Sequence, residues 1–185
     1  DRLAYDKNII TANGEQTGDF EKNIPRELIP EQITANGIRF EISKTEKNAC
    51  IMKGQTVKLT GSADKLCLLC ASFGGDKKVR FDVDGATVTK TVLSATEPFA
   101  GWDLPDLGDI AFVKHGKLGF EATHSHTLGR DNIVKGLCFY IVELDVKGKD
   151  SVILPVDQNV VVIAATEVKG KHGQIVSKTF DEVDE

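Results

Sequence analysis

The sequence predicts an all-β fold: two antiparallel sheets packed as a sandwich of jelly-roll type, galactose-binding-domain-like in form. Three observations carry this. The apolar pattern repeats mostly with period two. Strand-sized runs recur about every eight to twelve residues, with Gly, Asp and Asn between them. Only "IPRELIPEQI" has room for a helical turn, and Pro25 and Pro30 keep it short.

Taken in order, the elements support that reading. "GQTVKLTGS" is a short strand. "DKLCLLCASFG" is apolar on both faces, as a central strand of a packed sheet would be. In "KKVRFDVDGATVTKTVL", Val79, Phe81 and Val83 alternate with Lys78, Arg80 and Asp82. After Asp84-Gly85, Thr87, Thr89 and Thr91 alternate with Val88, Lys90 and Val92. Asp-Gly between two alternating runs marks a hairpin with a two-residue turn. "GLCFYIVELDV" and "QNVVVIAATEV" are again apolar on both faces, and "DSVILPVDQ" is a strand ended by Pro155. The expected organisation is an extended lead-in over residues 1–30 that docks on the domain, a β-sandwich over 31–170, and an acidic tail over 171–185 that frays.

A chain of 185 residues suits one domain with a proper core. Hydrophobic residues make up 41% and charged residues 28%, which predicts globular order. The net charge is -5 and no basic block stands out; even "EVKGKHG" mixes in acid. Nucleic acid and anionic membranes are therefore not expected partners. The longest apolar run, "NVVVIAAT", is strand-sized, so no membrane insertion is expected. The chain opens at "DRLAYDKN" without an initiator Met. A mature secreted protein, periplasmic or extracellular, or a fragment of a longer one, is the expectation. Cys67 and Cys70 are three apart in a strand-like run, so they point to opposite faces and cannot easily bridge. "CLLC" lacks the turn a zinc or redox pair needs. With Cys50 and Cys138 they are expected to be buried free thiols.

The richest chemistry lies in "EATHSHTLGRDN". On a strand, His124 and His126 share a face, as two metal ligands must, and Asp131 or His115 could be a third. The spacing is comparable to the cupin metal motif: Gly119 is close to place and Asp131 stands where a Glu is wanted. The second cupin motif is missing, and His172 lacks its context. The competing reading has one imidazole satisfying backbone groups and the other at a loop mouth. Nucleophile chemistry is not signalled: there is no G-x-S-x-G, and Ser125 faces away from both histidines. Asp103, Asp106, Asp109 and Glu121 are candidate carboxylates for glycoside hydrolysis, but "WDLPDLGD" reads as a solvated loop. Trp102, the only tryptophan, is either a platform for a sugar ring or a plug over the sandwich end. The candidate carbohydrate site is thus Trp102, His124, His126, Arg130 and Asp131. Trp102 would stack on a pyranose, Arg130 and Asp131 would hydrogen-bond hydroxyls, and the histidines would line the floor. No cofactor or resident metal is expected.

The order of segments carries a family resemblance. It runs "FEKNIPRELIPEQITANGIRFEI", "KNACIMKGQTVKL", "DKLCLLCAS", a Trp-containing stretch, "THSHTLGRDN", "YIVELDV" and "VILPVDQNVVVIAATEV". This resembles the β-sandwich region toward the C-terminus of bacterial α-mannosidase-like glycoside hydrolases of family 38, over about residues 5–168. The resemblance implies that Pro25 and Pro30 bracket the lead-in. It places Trp102, His124, His126 and Asp131 in a polar cluster, and makes residues 155–159 the turn before a core strand. Ser125 stands where a basic residue is usual, and "NIVKGLC" replaces an aromatic run. The α/β domain with a zinc-bound Asp nucleophile has no counterpart. The resemblance therefore implies a noncatalytic accessory domain of a carbohydrate-active enzyme, binding glycan or packing against a catalytic domain of the same polypeptide. Two alternatives stand beside it: a cupin-like metal-dependent enzyme using His124, His126 and Asp131, or a structural or adhesive domain without a small ligand.

Overall fold

The computed structural model describes residues 11–12, 15–16, 24, 28–43, 49–96, 99–100, 112–113, 116–127, 130–132 and 136–170. Among them there is no α-helix; Leu28 lies in a short 3₁₀ turn. The strands are β1 (Thr11–Ala12), β2 (Glu15–Gln16), β3 (Gln32–Ala35), β4 (Ile38–Glu41), β5 (Cys50–Lys53) and β6 (Thr56–Lys58). They continue with β7 (Lys65–Ser72), β8 (Lys77–Val83), β9 (Ala86–Val92), β10 (Phe99–Ala100), β11 (Phe112–Val113) and β12 (Lys117–Ala122). The last are β13 (Ser125–Thr127), β14 (Arg130–Asn132), β15 (Leu137–Asp145), β16 (Ser151–Ile153) and β17 (Val156–Val168).

Two sheets dominate: five strands in the order β12-β15-β7-β17-β5, and four in the order β6-β16-β8-β9. Their named ladders are antiparallel. The chain crosses between the two large sheets at β5–β6, β6–β7, β7–β8, from β9 to β12, and at β15–β16 and β16–β17. With β12 set aside as an added edge, that order is the jelly roll, two Greek keys folded face to face. One corner serves two crossings. Gly54 (φ 80) turns β5 into β6 and donates its N–H to Pro155 O at 3.2 Å, while Leu154 N donates to Gln55 O at 2.9 Å. The β8–β9 turn falls at Asp84-Gly85, where both φ values are positive (54 and 84). That left-handed pair is the type I′ turn, and Gly85 N donates to Asp82 Oδ1 at 2.6 Å.

Between the sheets lies one core, containing Met52, Leu66, Leu68, Cys70, Phe81, Val92, Leu144 and Val160. A second core lies on the opposite face of the five-stranded sheet, built on Cys67, Leu69, Phe139, Ile141 and Val161. Its cover is the β3–β4 hairpin, which contributes Ile33, Ile38 and Phe40, together with Ile42 and Ile24. The molecule therefore has a third layer beyond the two predicted sheets. Its sequence signal was "ANGI": Asn36 and Gly37 both have positive φ (51 and 72), the same I′ geometry as Asp84-Gly85. The hairpin is tied down by Asn36 Nδ2 donating to Leu118 O (3.2 Å) and Thr166 Oγ1 donating to Arg39 O (2.7 Å).

Burial, not those two bonds, holds the layer. Each of Ile33, Ile38, Phe40 and Ile42 is buried, at about 1.5–3 kcal/mol apiece. Phe40→Ala should cost about 3–5 kcal/mol in urea unfolding. A loss under about 1 kcal/mol would show that the hairpin is only loosely seated.

Candidate functional site

The segment "EATHSHTLGRDN" is strand, short link, then hairpin. β12 ends at Ala122, and β13 and β14 pair outside both large sheets. Their register sets Ser125 opposite Asn132, His126 opposite Asp131 and Thr127 opposite Arg130. Four of the five candidate residues thus lie on or beside one two-stranded element, with His126 and Asp131 direct cross-strand partners in the ladder. His124 is half-buried, its Nδ1 3.2 Å from Thr123 Oγ1. Strand alternation puts position 125 on the other side, and the Ser125 side chain is fully buried. Its Oγ has no hydrogen-bond partner among the described residues. Trp102, the fifth candidate, lies outside the described residues, as do His115, His172, Asp103, Asp106 and Asp109. Glu121 is exposed on β12. Among the described residues no group of three His, Cys, Asp or Glu side chains converges as a metal site.

Before the hairpin's neighbour β15 joins β7, another segment separates them. Ser72 N donates to Leu93 O (2.9 Å), Ala95 N to Ser72 O (2.7 Å) and Cys138 N to Ala95 O (2.8 Å). Residues 93–95 therefore wedge between the end of β7 and the start of β15. The wedge buries polar groups, among them Ser72 and Ser94, and Asp76 Oδ1 accepts from Ser94 N at 2.8 Å. Tyr140 is also buried here. Cys138 lies beside its phenol, and among the described residues Tyr140 Oη has no partner in good hydrogen-bond geometry. Burial, then Cys138, pushes the phenol's pKa up. This cluster was not singled out in the sequence, because the wedge that creates it is a long-range contact.

The four cysteines are free thiols. Cys67 faces the outer core and Cys70 the inter-sheet core, on opposite faces of β7. Burial, then Glu143, pushes Cys67 up to about 11. Burial alone pushes Cys70 up to about 12. Burial also raises Cys138 and Cys50, against partial relief from Tyr140 and Lys53 respectively. None is a ready thiolate near neutral pH.

A jelly-roll core under an extra hairpin, with buried thiols and a separate His/Asp hairpin, is the geometry on which family comparison bears. The model of the AziU2-like beta-sandwich domain matches residues 2–171. The chain belongs to that family. No curated protein matches it. The family match agrees with the β-sandwich implied by the segment order. A link to mannosidases is a finer statement and forms no part of the match.

One further polar feature of this AziU2-like sandwich sits on the five-stranded sheet. Glu143, its side chain 20% exposed, is clamped by Lys65 (2.6 Å) and Lys117. Burial works to raise Glu143, but hydrogen bonds to Lys117 and Lys65 outweigh it and its pKa is lowered. Lys65 is raised, first by its hydrogen bond to Glu143.

Two outcomes follow. Iodoacetamide should label Cys50, the half-exposed thiol, well before the three buried ones, and denatured unreduced protein should show four alkylated cysteines by mass spectrometry. Rapid native labelling of Cys70, or fewer than four labels, would contradict the burial account. For Glu143, a lowered folded pKa gives stability that is present above the ordinary carboxylate value and lost as pH falls through the folded value. Glu143→Gln should cost about 0.5–1 kcal/mol near neutral pH, discounted because both lysines are largely solvated. Its deficit should shrink below about pH 4. A deficit constant from neutral to acid pH would place the cost in packing instead.

Proposed function

We propose that the chain is a noncatalytic accessory β-sandwich that offers its β13–β14 end to a glycan or to a catalytic domain of the same polypeptide. The observation behind this is the hairpin register, with His126 opposite Asp131 and Arg130 next to the turn. Imidazole, guanidinium and carboxylate are groups that can satisfy sugar hydroxyls, and here they sit on an element of its own. A loop-borne site on a rigid sandwich is a common division of labour. The thiols favour a noncatalytic reading, since burial keeps Cys67 and Cys70 protonated at neutral pH. The mannosidase-like order of segments favours a carbohydrate-active context, and with it an α-mannosidase-like parent enzyme.

The test is affinity electrophoresis and a glycan array on the isolated chain, with Arg130→Ala and Asp131→Ala as variants. Retention by mannose-containing glycans, lost in both variants at an unchanged melting temperature, supports the proposal. Unchanged retention in both variants overturns the site. Steady release of sugar from aryl mannosides, abolished by a point change, overturns the noncatalytic reading. Metal near one per chain, with a melting temperature that falls on chelation, would instead favour the cupin-like alternative on His124, His126 and Asp131.

A further inference from the structure

Away from the β13–β14 hairpin, the seam between the two large sheets opens. Among the described residues β5 pairs with β17 as far as Val162, while β17 runs on to Val168. Beyond that point, among the described residues, a cleft of about 350 Å³ lies at the edge of the inter-sheet core. Val57, Leu66 and Ala165 are on its aliphatic floor, and Thr60, Glu167 and Lys169 are among its polar residues. Glu167 is built into place. Its Oε1 and Oε2 accept from Thr60 N at 3.0 and 3.2 Å, and Oε2 accepts from Thr60 Oγ1 at 2.5 Å. Ser62 Oγ, 3.1 Å from Thr60 Oγ1, extends the network. These neutral donors fix the carboxylate, but among the described residues no cation pairs with it. Lys169, exposed and also unpaired among those residues, lines the same cleft.

We propose that this cleft binds a free aliphatic α-amino acid, with its ammonium on Glu167, its carboxylate on Lys169 and its side chain on the aliphatic floor. Charge complementarity carries the assignment. A fixed acid and a free base flank an apolar surface, which is the inverse of a zwitterion with an alkyl group. The volume is near the lower end of the roughly 300–1,000 Å³ typical of ligand pockets, so the ligand is small. A neutral sugar would leave the charges of Glu167 and Lys169 uncompensated and find no aromatic ring among the lining residues to stack on. A fatty acid would meet the carboxylate of Glu167. Because Thr60 already orders Glu167, binding need not immobilise that side chain, which lowers its cost.

Calorimetric titration of the full chain with L-leucine and L-valine tests the proposal, with N-acetyl-leucine, leucinamide and methyl α-mannoside as further probes. Ala165→Leu fills the cleft from an exposed position, and Lys169→Ala removes the base without touching the Thr60 network. Saturable leucine binding is expected. Blocking the ammonium, or Lys169→Ala, should weaken it about tenfold, the scale of one charge-assisted contact. Ala165→Leu should abolish it at an unchanged melting temperature. Absence of saturable binding by leucine or valine to folded protein overturns the proposal. So does binding indifferent to Ala165→Leu, or competition by methyl α-mannoside. Arg130→Ala should leave leucine binding intact, so failure here and failure of glycan binding at the hairpin are read separately.

Discussion

The structure depends on one constraint: its central sheet is apolar on both faces. β7 reads "KLCLLCAS" and is buried from Leu66 to Ser72, with successive side chains entering different cores. β15 and much of β17 follow the same rule. A sheet of that kind cannot leave either face in water, since each buried aliphatic side chain is worth about 1.5–3 kcal/mol. The four-stranded sheet covers one face. The β3–β4 hairpin and Ile24 help cover the other, so the hairpin is part of the packed fold rather than an appendage.

Threading a jelly roll through this arrangement has local consequences. The chain must return from β9 toward the five-stranded sheet, and it does so as residues 93–95 wedged between β7 and β15. The wedge satisfies its backbone by bonding to both neighbours, which is why Ser72 and Ser94 can be buried there. Among the described residues Tyr140 Oη, nearby, has Cys138 beside it.

Both surfaces proposed above for binding lie where the pairing of the large sheets stops. The β13–β14 hairpin stands outside both large sheets, and its ladder brings His126 and Asp131 opposite one another. The cleft beside Glu167 lies along the part of β17 that runs on past Val162, its last partner in β5 among the described residues. The interior, by contrast, is chemically quiet: burial holds Cys67 and Cys70 protonated, and the half-buried Glu143 is clamped between two lysines.

The sequence by itself determined the fold class, because alternation and double-sided apolar runs are local patterns. Val79, Phe81 and Val83 facing in, and Asp84-Gly85 turning the hairpin, could be read residue by residue. The opposite facing of Cys67 and Cys70 followed from strand period alone. The site was legible only in part: the two-residue spacing of His124 and His126 was visible, but the placing of Asp131 opposite His126 depends on a register set across a turn. Tertiary structure alone decided the rest. Which element covers the outer face, where residues 93–95 enter the sheet, and why Glu167 meets Thr60 across 107 positions are contacts between segments distant in sequence. Periodicity says which face of a strand wants burial. It does not say which other segment will bury it, since any apolar surface of the right shape lowers the free energy alike.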